Sequence, residues 1–128
     1  AHAATDITGF GLLGHALEMA AASKVDRALN SEKIPSFSGF HKFSKDKKYL
    51  TKGYHLNLQL SRDRLLIPKL LHNDMKILLH DPQTSGGLLI SIEKSKSEDL
   101  LNDLRSQGCP KAAMIGEVLK GKGRIAIA

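Results

Sequence analysis

Apolar side chains along this chain follow two kinds of spacing, and the change from one to the other predicts its elements. Across residues 9–23, Phe10, Leu13, Leu17 and Ala20, flanked by Leu12, Ala16 and Met19, recur at helical intervals. That spacing stacks one apolar face and predicts an α-helix. The Ala20-Ala21-Ala22 run favours its propagation, and the Thr8 hydroxyl is placed to accept an N–H of the first turn as N-cap. Residues 25–29 read as a short strand with weak alternation, closed by Ile34-Pro35. Phe37, Phe40 and Phe43 then recur every three residues within 36–49, which predicts an amphipathic helix with those rings in the core. After Lys52-Gly53, Leu56, Leu58 and Leu60 alternate up to the Arg62-Asp63-Arg64 cluster, and this middle third has the weakest pattern. Residues 65–71, with Pro68 near their start, and 75–79 are short apolar segments read as helical turns.

Residues 88–92 form a continuous apolar run with isoleucines, bounded by Gly87 and Glu93, which predicts a buried strand. Ser95 or Ser97 is then placed to cap a helix carrying Leu100, Leu101 and Leu104 on one face, with Gly108-Cys109-Pro110 as its stop. Residues 112–119 and 124–128 read as two strands around a hairpin-like Lys120-Gly121-Lys122-Gly123 turn. Helix, strand, helix, strand, helix, strand, strand is the order of an α+β domain in which a sheet is layered with helices. No internal repeat or low-complexity linker interrupts it.

At 128 residues the chain fits one domain, long enough to bury roughly two thirds of the surface its unfolded form exposes. No run approaches the ~20 apolar residues of a membrane span, and the start has no signal-peptide pattern, so a soluble protein is expected. The single cysteine, Cys109, excludes an internal disulfide framework and a cysteine-only metal site, which fits a reducing compartment such as the cytoplasm. The net charge of +6 is uneven: residues 41–76 hold nine Lys or Arg against Asp46, Asp63 and Asp74. Such a stretch attracts anions. With aromatic residues at 5%, no Trp and no alternation of aromatic and basic side chains, nucleic acid is not the expected partner. The chain opens at Ala1 and its first chemically loaded motif starts at Thr5, so another domain is expected to complete any site built there.

The candidate chemistry lies in two acid-headed, glycine-rich words, Thr5-Asp6-Ile7-Thr8-Gly9-Phe10-Gly11 and Asp81-Pro82-Gln83-Thr84-Ser85-Gly86-Gly87. Each sets a carboxylate, hydroxyls and glycines just before an apolar stretch, so backbone N–H groups can turn toward an anion while the carboxylate holds a divalent cation. Asp6 has two readings, a helix-start acid that stabilises the dipole or a Mg²⁺ ligand bridging to phosphate. In the second word Pro82 and the Gly86-Gly87 pair make a tight turn before a buried strand, and Thr84 and Ser85 suit phosphate contact. Gly9, Gly11 and Gly14 spell G-x-G-x-x-G, but the dinucleotide fingerprint needs a hydrophobic strand ahead of it, and of residues 1–8 only Ile7 is large and apolar. The six histidines lack H-x-x-x-H or H-x-H spacing and read as surface or packing residues, and Cys109 has no activating neighbour except Lys111.

Taken together, TDITGFGLLGHALEMA and LLHDPQTSGGLLISI resemble the C-terminal half of the selenophosphate synthetase (selenide, water dikinase) family, within the aminoimidazole ribonucleotide synthetase superfamily. Residues 53–57 are also similar to that family's G-x-x-x-N, and Ile115-Gly116-Glu117 to its late I-G strand. The resemblance implies a three-layer α/β/α domain with a mixed sheet and partial ferredoxin-like topology. It further implies a reaction in which ATP, selenide and water give selenophosphate, AMP and orthophosphate, with Mg²⁺ at the phosphates and a homodimer formed mainly through another domain. By motif match Asp6 is the metal ligand this half contributes, with Thr5, Thr8, Gly9 and Gly11 lining its loop, while the second word faces the interdomain cleft without an assigned ligand. The family's glycine-rich nucleotide segment, its catalytic Cys or Sec with a nearby Lys, and its other metal aspartates belong to an N-terminal half. No catalytic residue is therefore expected in this chain, which alone should not turn over ATP. Two alternatives stay open: another ATP-dependent synthetase or small-molecule kinase of the superfamily, and a non-catalytic binding or assembly module.

Overall fold

The helix expected near the head of the chain forms the centre of the fold in the computed structural model, which describes residues 1–66 and 71–128. Strand β1 (Ala3–Asp6) leads into this helix, α1 (Gly11–Ser23), and β2 (Val25–Leu29) follows. Next come α2 (Phe40–Phe43), α3 (Lys52–Ser61), β3 (Leu65–Leu66) and α4 (Asn73–His80). The chain continues with β4 (Leu88–Ser91), α5 (Ser97–Ser106), β5 (Gly116–Lys120) and β6 (Ile125–Ile127). On α1, Leu13, Ala16, Leu17 and Ala20 are buried. The helix packs on β1, β2 and β6 and on α3 and α4. Burying each of Leu13 and Leu17 contributes roughly 1.5–3 kcal/mol.

The strands divide between an antiparallel ribbon, β1–β4, and a four-stranded mixed sheet of order β3-β6-β2-β5, which makes the domain α+β. Strand β2 is central, antiparallel to β5 and parallel to β6. Leu29, Ile125 and Ile127 turn from that sheet into the core formed with Ile7, Leu13, Leu17, Leu79 and Leu89. Buried Arg27 joins the two sheets by donating from Nη1 to Ser91 Oγ at 2.7 Å.

Several expectations are corrected. Strands β5 and β6 do not form a hairpin, because β2 lies between them. Their connection is instead anchored by the Asp26 carboxylate, which accepts from the N–H groups of Lys122, Gly123 and Arg124 and is thereby held below the usual carboxylate range. Leu65 and Leu66 pair with β6 as a strand rather than a helical turn; residues 67–70 of that expected turn lie outside the described residues, and Leu71 is in no helix. The helix expected over 36–49 is one turn, α2, followed by a 3₁₀ turn, and Phe37 and Phe43 are exposed rather than core. Gly39, at φ +89°, and Asp46, whose side chain accepts the Lys48 N–H, interrupt the run, so the three-residue spacing never becomes a helical stripe. Thr8 does not cap α1, whose N-cap is Phe10. Ser95 and Ser97 do not cap α5, which begins at Ser97 after a 3₁₀ turn, with Lys96 as N-cap. Its expected stop does form: Gly108, at φ +97°, precedes a bond from the Cys109 N–H to the Leu104 carbonyl, the six-to-one bond of a glycine-ended helix.

Helix α3 explains the unclear middle third. Thr51 caps it by accepting the Tyr54 N–H at 3.1 Å, and its buried positions are Tyr54, Asn57 and Ser61, at helical spacing but mostly polar. Leu56, Leu58 and Leu60 face solvent, so the apolar pattern there marks the outer side.

Candidate functional site

The two glycine-rich words, far apart in sequence, lie side by side. Antiparallel pairing of β1 with β4 sets Asp6 opposite Leu88. Backbone bonds carry the contact beyond the strands: Ile7 N–H to the Gly87 carbonyl at 2.9 Å, Gly86 N–H to Ile7 at 3.1 Å and Gln83 N–H to Thr8 at 3.0 Å. A side chain at position 86 would place its Cβ 2.6 Å from the Ile7 carbonyl oxygen, so only glycine permits this approach. The Thr8 carbonyl also accepts the Gly11 N–H at 3.0 Å. Gly11 sits at φ +66°, and a Cβ there would lie 2.9 Å from both the Asp81 carbonyl oxygen and the His80 carbonyl carbon. The glycine that opens α1 is thus required by conformation and by contact with the second loop.

A third element locks the pair. Asn57, on α3, donates from Nδ2 to the Gly9 carbonyl at 2.8 Å and to the His80 carbonyl at 2.9 Å. Because both partners are acceptors, the orientation of the amide follows from the bonds. Gly53, one turn earlier, lets Pro82 pack against the helix, where a Cβ would come within 2.6 Å of the proline ring. Beneath this contact His80 is fully buried. Its Nδ1–H donates to the Lys76 carbonyl at 2.7 Å, and its Nε2 lies 2.9 Å from Ser61 Oγ. Burial pushes its pKa down, partly offset by the Lys76 carbonyl, so the ring is held neutral.

The expected site residues take different places. Asp6 ends β1 with its carboxylate exposed and without a hydrogen-bond or salt-bridge partner among the described residues. Thr5 alternates to the opposite, half-buried side of the ribbon, and its hydroxyl reaches only the Asp6 carbonyl, at 3.3 Å. Thr8, Gly9 and Gly11 form the bend where the two words meet. In the second word Thr84 and Ser85 are exposed. Asp81 is half-buried and accepts from Gln83 Nε2 at 2.8 Å, and burial raises its pKa more than that bond lowers it. Gly9-x-Gly11-x-x-Gly14 does follow a strand, but β1 and β2 belong to separate sheets, so the parallel strand-helix-strand unit of a dinucleotide site is absent among the described residues.

His15, buried on α1, lies 3.0 Å from Thr8 Oγ1 through Nε2 and 3.2 Å from Glu18 Oε2 through Nδ1. Beside it, Phe10, Leu17, Glu18, Asn57, Leu60 and Arg64 line an open cleft of about 180 Å³ between α1 and α3. His15, Glu18, Asn57, Ser61 and His80 had no assigned role in the sequence. The usable signals were the three-residue spacing of His15 and Glu18 just after the glycines, and the place of Asn57 at the end of G-x-x-x-N.

A family model described as AIR synthase related protein, C-terminal domain, matches residues 1–128, and the chain belongs to that family. Among curated relatives, the selenide, water dikinase of Bdellovibrio bacteriovorus is 41% identical over 126 residues, covering 98% of this chain and 35% of that protein. Those of Clostridioides difficile and Rhizobium meliloti are 37% and 36% identical, covering 96% and 98% of the chain and 35% and 36% of those proteins. The chain therefore spans about a third of the length of the relatives it matches. No helix among the described residues is long and apolar enough to cross a membrane.

Proposed function

We propose that this chain is the C-terminal domain of a selenide, water dikinase, and that its paired loops form one wall of the site where ATP, selenide and water become selenophosphate, AMP and orthophosphate. The observation that carries the reading is similarity to proteins of that name along 98% of the chain, a span that takes in both loops. The donor set fits a hard divalent cation as part of a shell. Asp6 offers one unpaired carboxylate, and no three His, Cys, Asp or Glu side chains converge among the described residues. Mg²⁺ keeps water and phosphate oxygens in its octahedron and needs few protein carboxylates. In this reading Asp6 holds Mg²⁺, with Thr8, Gly9 and Gly11 lining the loop beside ATP and Thr5 supporting it from the opposite side of the ribbon. Bound there, the cation neutralises phosphate charge and aligns the transferring group.

An N-terminal domain of the same protein supplies the remaining ligands and the Cys or Sec nucleophile with its lysine. The full-length enzyme is a cytoplasmic homodimer, and the isolated chain makes no AMP. The test is Asp6→Asn in a full-length protein carrying this domain. We expect a folded enzyme whose half-saturating Mg²⁺ rises at least about tenfold, on the order of 1.4 kcal/mol of lost cation binding. Unchanged Mg²⁺ dependence removes Asp6 from the site. ADP formation without selenide, in place of AMP, would point to another synthetase or kinase of the family, and no nucleotide turnover at all to a binding or assembly module.

A further inference from the structure

The Thr8 hydroxyl, the His15 imidazole and the Glu18 carboxylate form a hydrogen-bonded series from the first loop onto α1, and the function proposed above uses only Thr8. Bracing the loop does not require the series, because the Thr8 carbonyl already takes the Gly11 and Gln83 N–H groups and the Gly9 carbonyl takes Asn57. What the series does control is the Thr8 proton. The Glu18 carboxylate is an acceptor only, so the His15 nitrogen facing it at 3.2 Å, Nδ1, carries the hydrogen. In the neutral ring Nε2 is then bare, and the contact at 3.0 Å to Thr8 Oγ1 must be a bond donated by the threonine. The phenyl ring of Phe10, 5.6 Å from the imidazole between centroids, packs beside it.

A hydroxyl has one proton, and opposite the neutral ring it is committed inward. The Thr8 oxygen keeps lone pairs only, which repel a phosphate oxygen and attract a cation or the protons of cation-held water. From this we infer that His15, oriented by Glu18, is a positioning residue that presents Thr8 as an acceptor toward a divalent cation. The inference rests on the reading of the paired loops as a cation and phosphate site, and deepens it by assigning Thr8 to the cation.

Two experiments separate the inference from that reading. In ¹⁵N-labelled chain of 128 residues, long-range ¹⁵N–¹H correlation at mildly alkaline pH should show His15 protonated on Nδ1. Protonation on Nε2 overturns the inference whatever the site binds. In the full-length enzyme, Thr8→Val, which keeps shape and loses the hydroxyl, should raise half-saturating Mg²⁺ about fivefold to tenfold while leaving the ATP KM at saturating Mg²⁺ within twofold. Thr8→Ser should restore the wild-type value. Glu18→Lys, a donor at an exposed position, should shift the ring toward Nε2–H and raise half-saturating Mg²⁺ as Thr8→Val does. A lower kcat with unchanged Mg²⁺ dependence in Thr8→Val would mean a bracing role only and overturn the inference. Failure of Asp6→Asn to alter Mg²⁺ dependence would defeat the broader reading instead, with the tautomer result unaffected.

Discussion

Replacing Asn57 tests whether the two loops are held together by one side chain. Asn57 is 6% exposed and spends both amide protons on the Gly9 and His80 carbonyls. In Asn57→Ala each lost bond costs about 1–1.5 kcal/mol, and the His80 carbonyl, buried away from water, adds desolvation that the better-hydrated Gly9 carbonyl largely escapes. The sum is about 3 kcal/mol, which for a domain of this size lowers Tm by roughly 10 °C. Urea unfolding of the chain followed by circular dichroism measures the loss, with Gln59→Ala on the exposed face of the same helix as control. Hydrogen exchange adds a local readout, because the Gln83 and Gly86 amides that join the loops should exchange faster than those of β2. A loss below about 1 kcal/mol, or one equal to that of the control, would show that the loops are held by their backbone bonds alone and that α3 merely lies against them.

Two further outcomes follow from single positions. His80 is buried neutral, with a folded pKa below its unfolded value of about 6.5, so the unfolded chain binds more protons once pH falls past that value. Stability should be complete above about pH 6.5 and decline from there toward pH 5.5, and His80→Gln, less stable at pH 8, should lose that slope; a wild-type curve flat over this range refutes the assignment. Asp81, raised by burial, works in the opposite sense nearer the carboxylate range, which is why the scan stops at pH 5.5. Lys24 ends α1 at φ +52°, a left-handed conformation that costs a side chain on the order of 1 kcal/mol. Lys24→Gly should therefore raise the urea midpoint by up to about 1 kcal/mol equivalent, and a lower midpoint would contradict it.

What could be read directly from the residues was whatever a local period encodes. Helices α1 and α5 have apolar faces that repeat within a few residues, β4 is a continuous apolar run and β2 alternates weakly, and all four form where expected. Strand β1 was missed because Ala3-Ala4-Thr5-Asp6 has no large apolar residue and becomes a strand only by pairing with β4, across most of the chain. The same dependence on distant partners undid the hairpin, since the turn at 120–123 is compatible with β5 and β6 adjacent, and only the insertion of β2 decides otherwise. Helix α3 failed for another reason: its buried stripe is Tyr54, Asn57 and Ser61, so a rule that equates burial with hydrophobicity selects the wrong face. The site follows the same logic. Both glycine words were visible as chemistry, but each carries half of a geometry; strand pairing and backbone bonds bring them together, and a polar residue between them in sequence satisfies a carbonyl of each side. Glycines let the backbones approach and leave their polar groups uncovered. A buried amide presents paired donors without introducing charge, and a nearby hydroxyl and neutral imidazole complete the hydrogen bonding beneath it. A polar residue at helical spacing between two glycine-rich loops is therefore best read first as the clamp that joins them, which is why the exposed leucines around Asn57 concealed the element on which the candidate site depends.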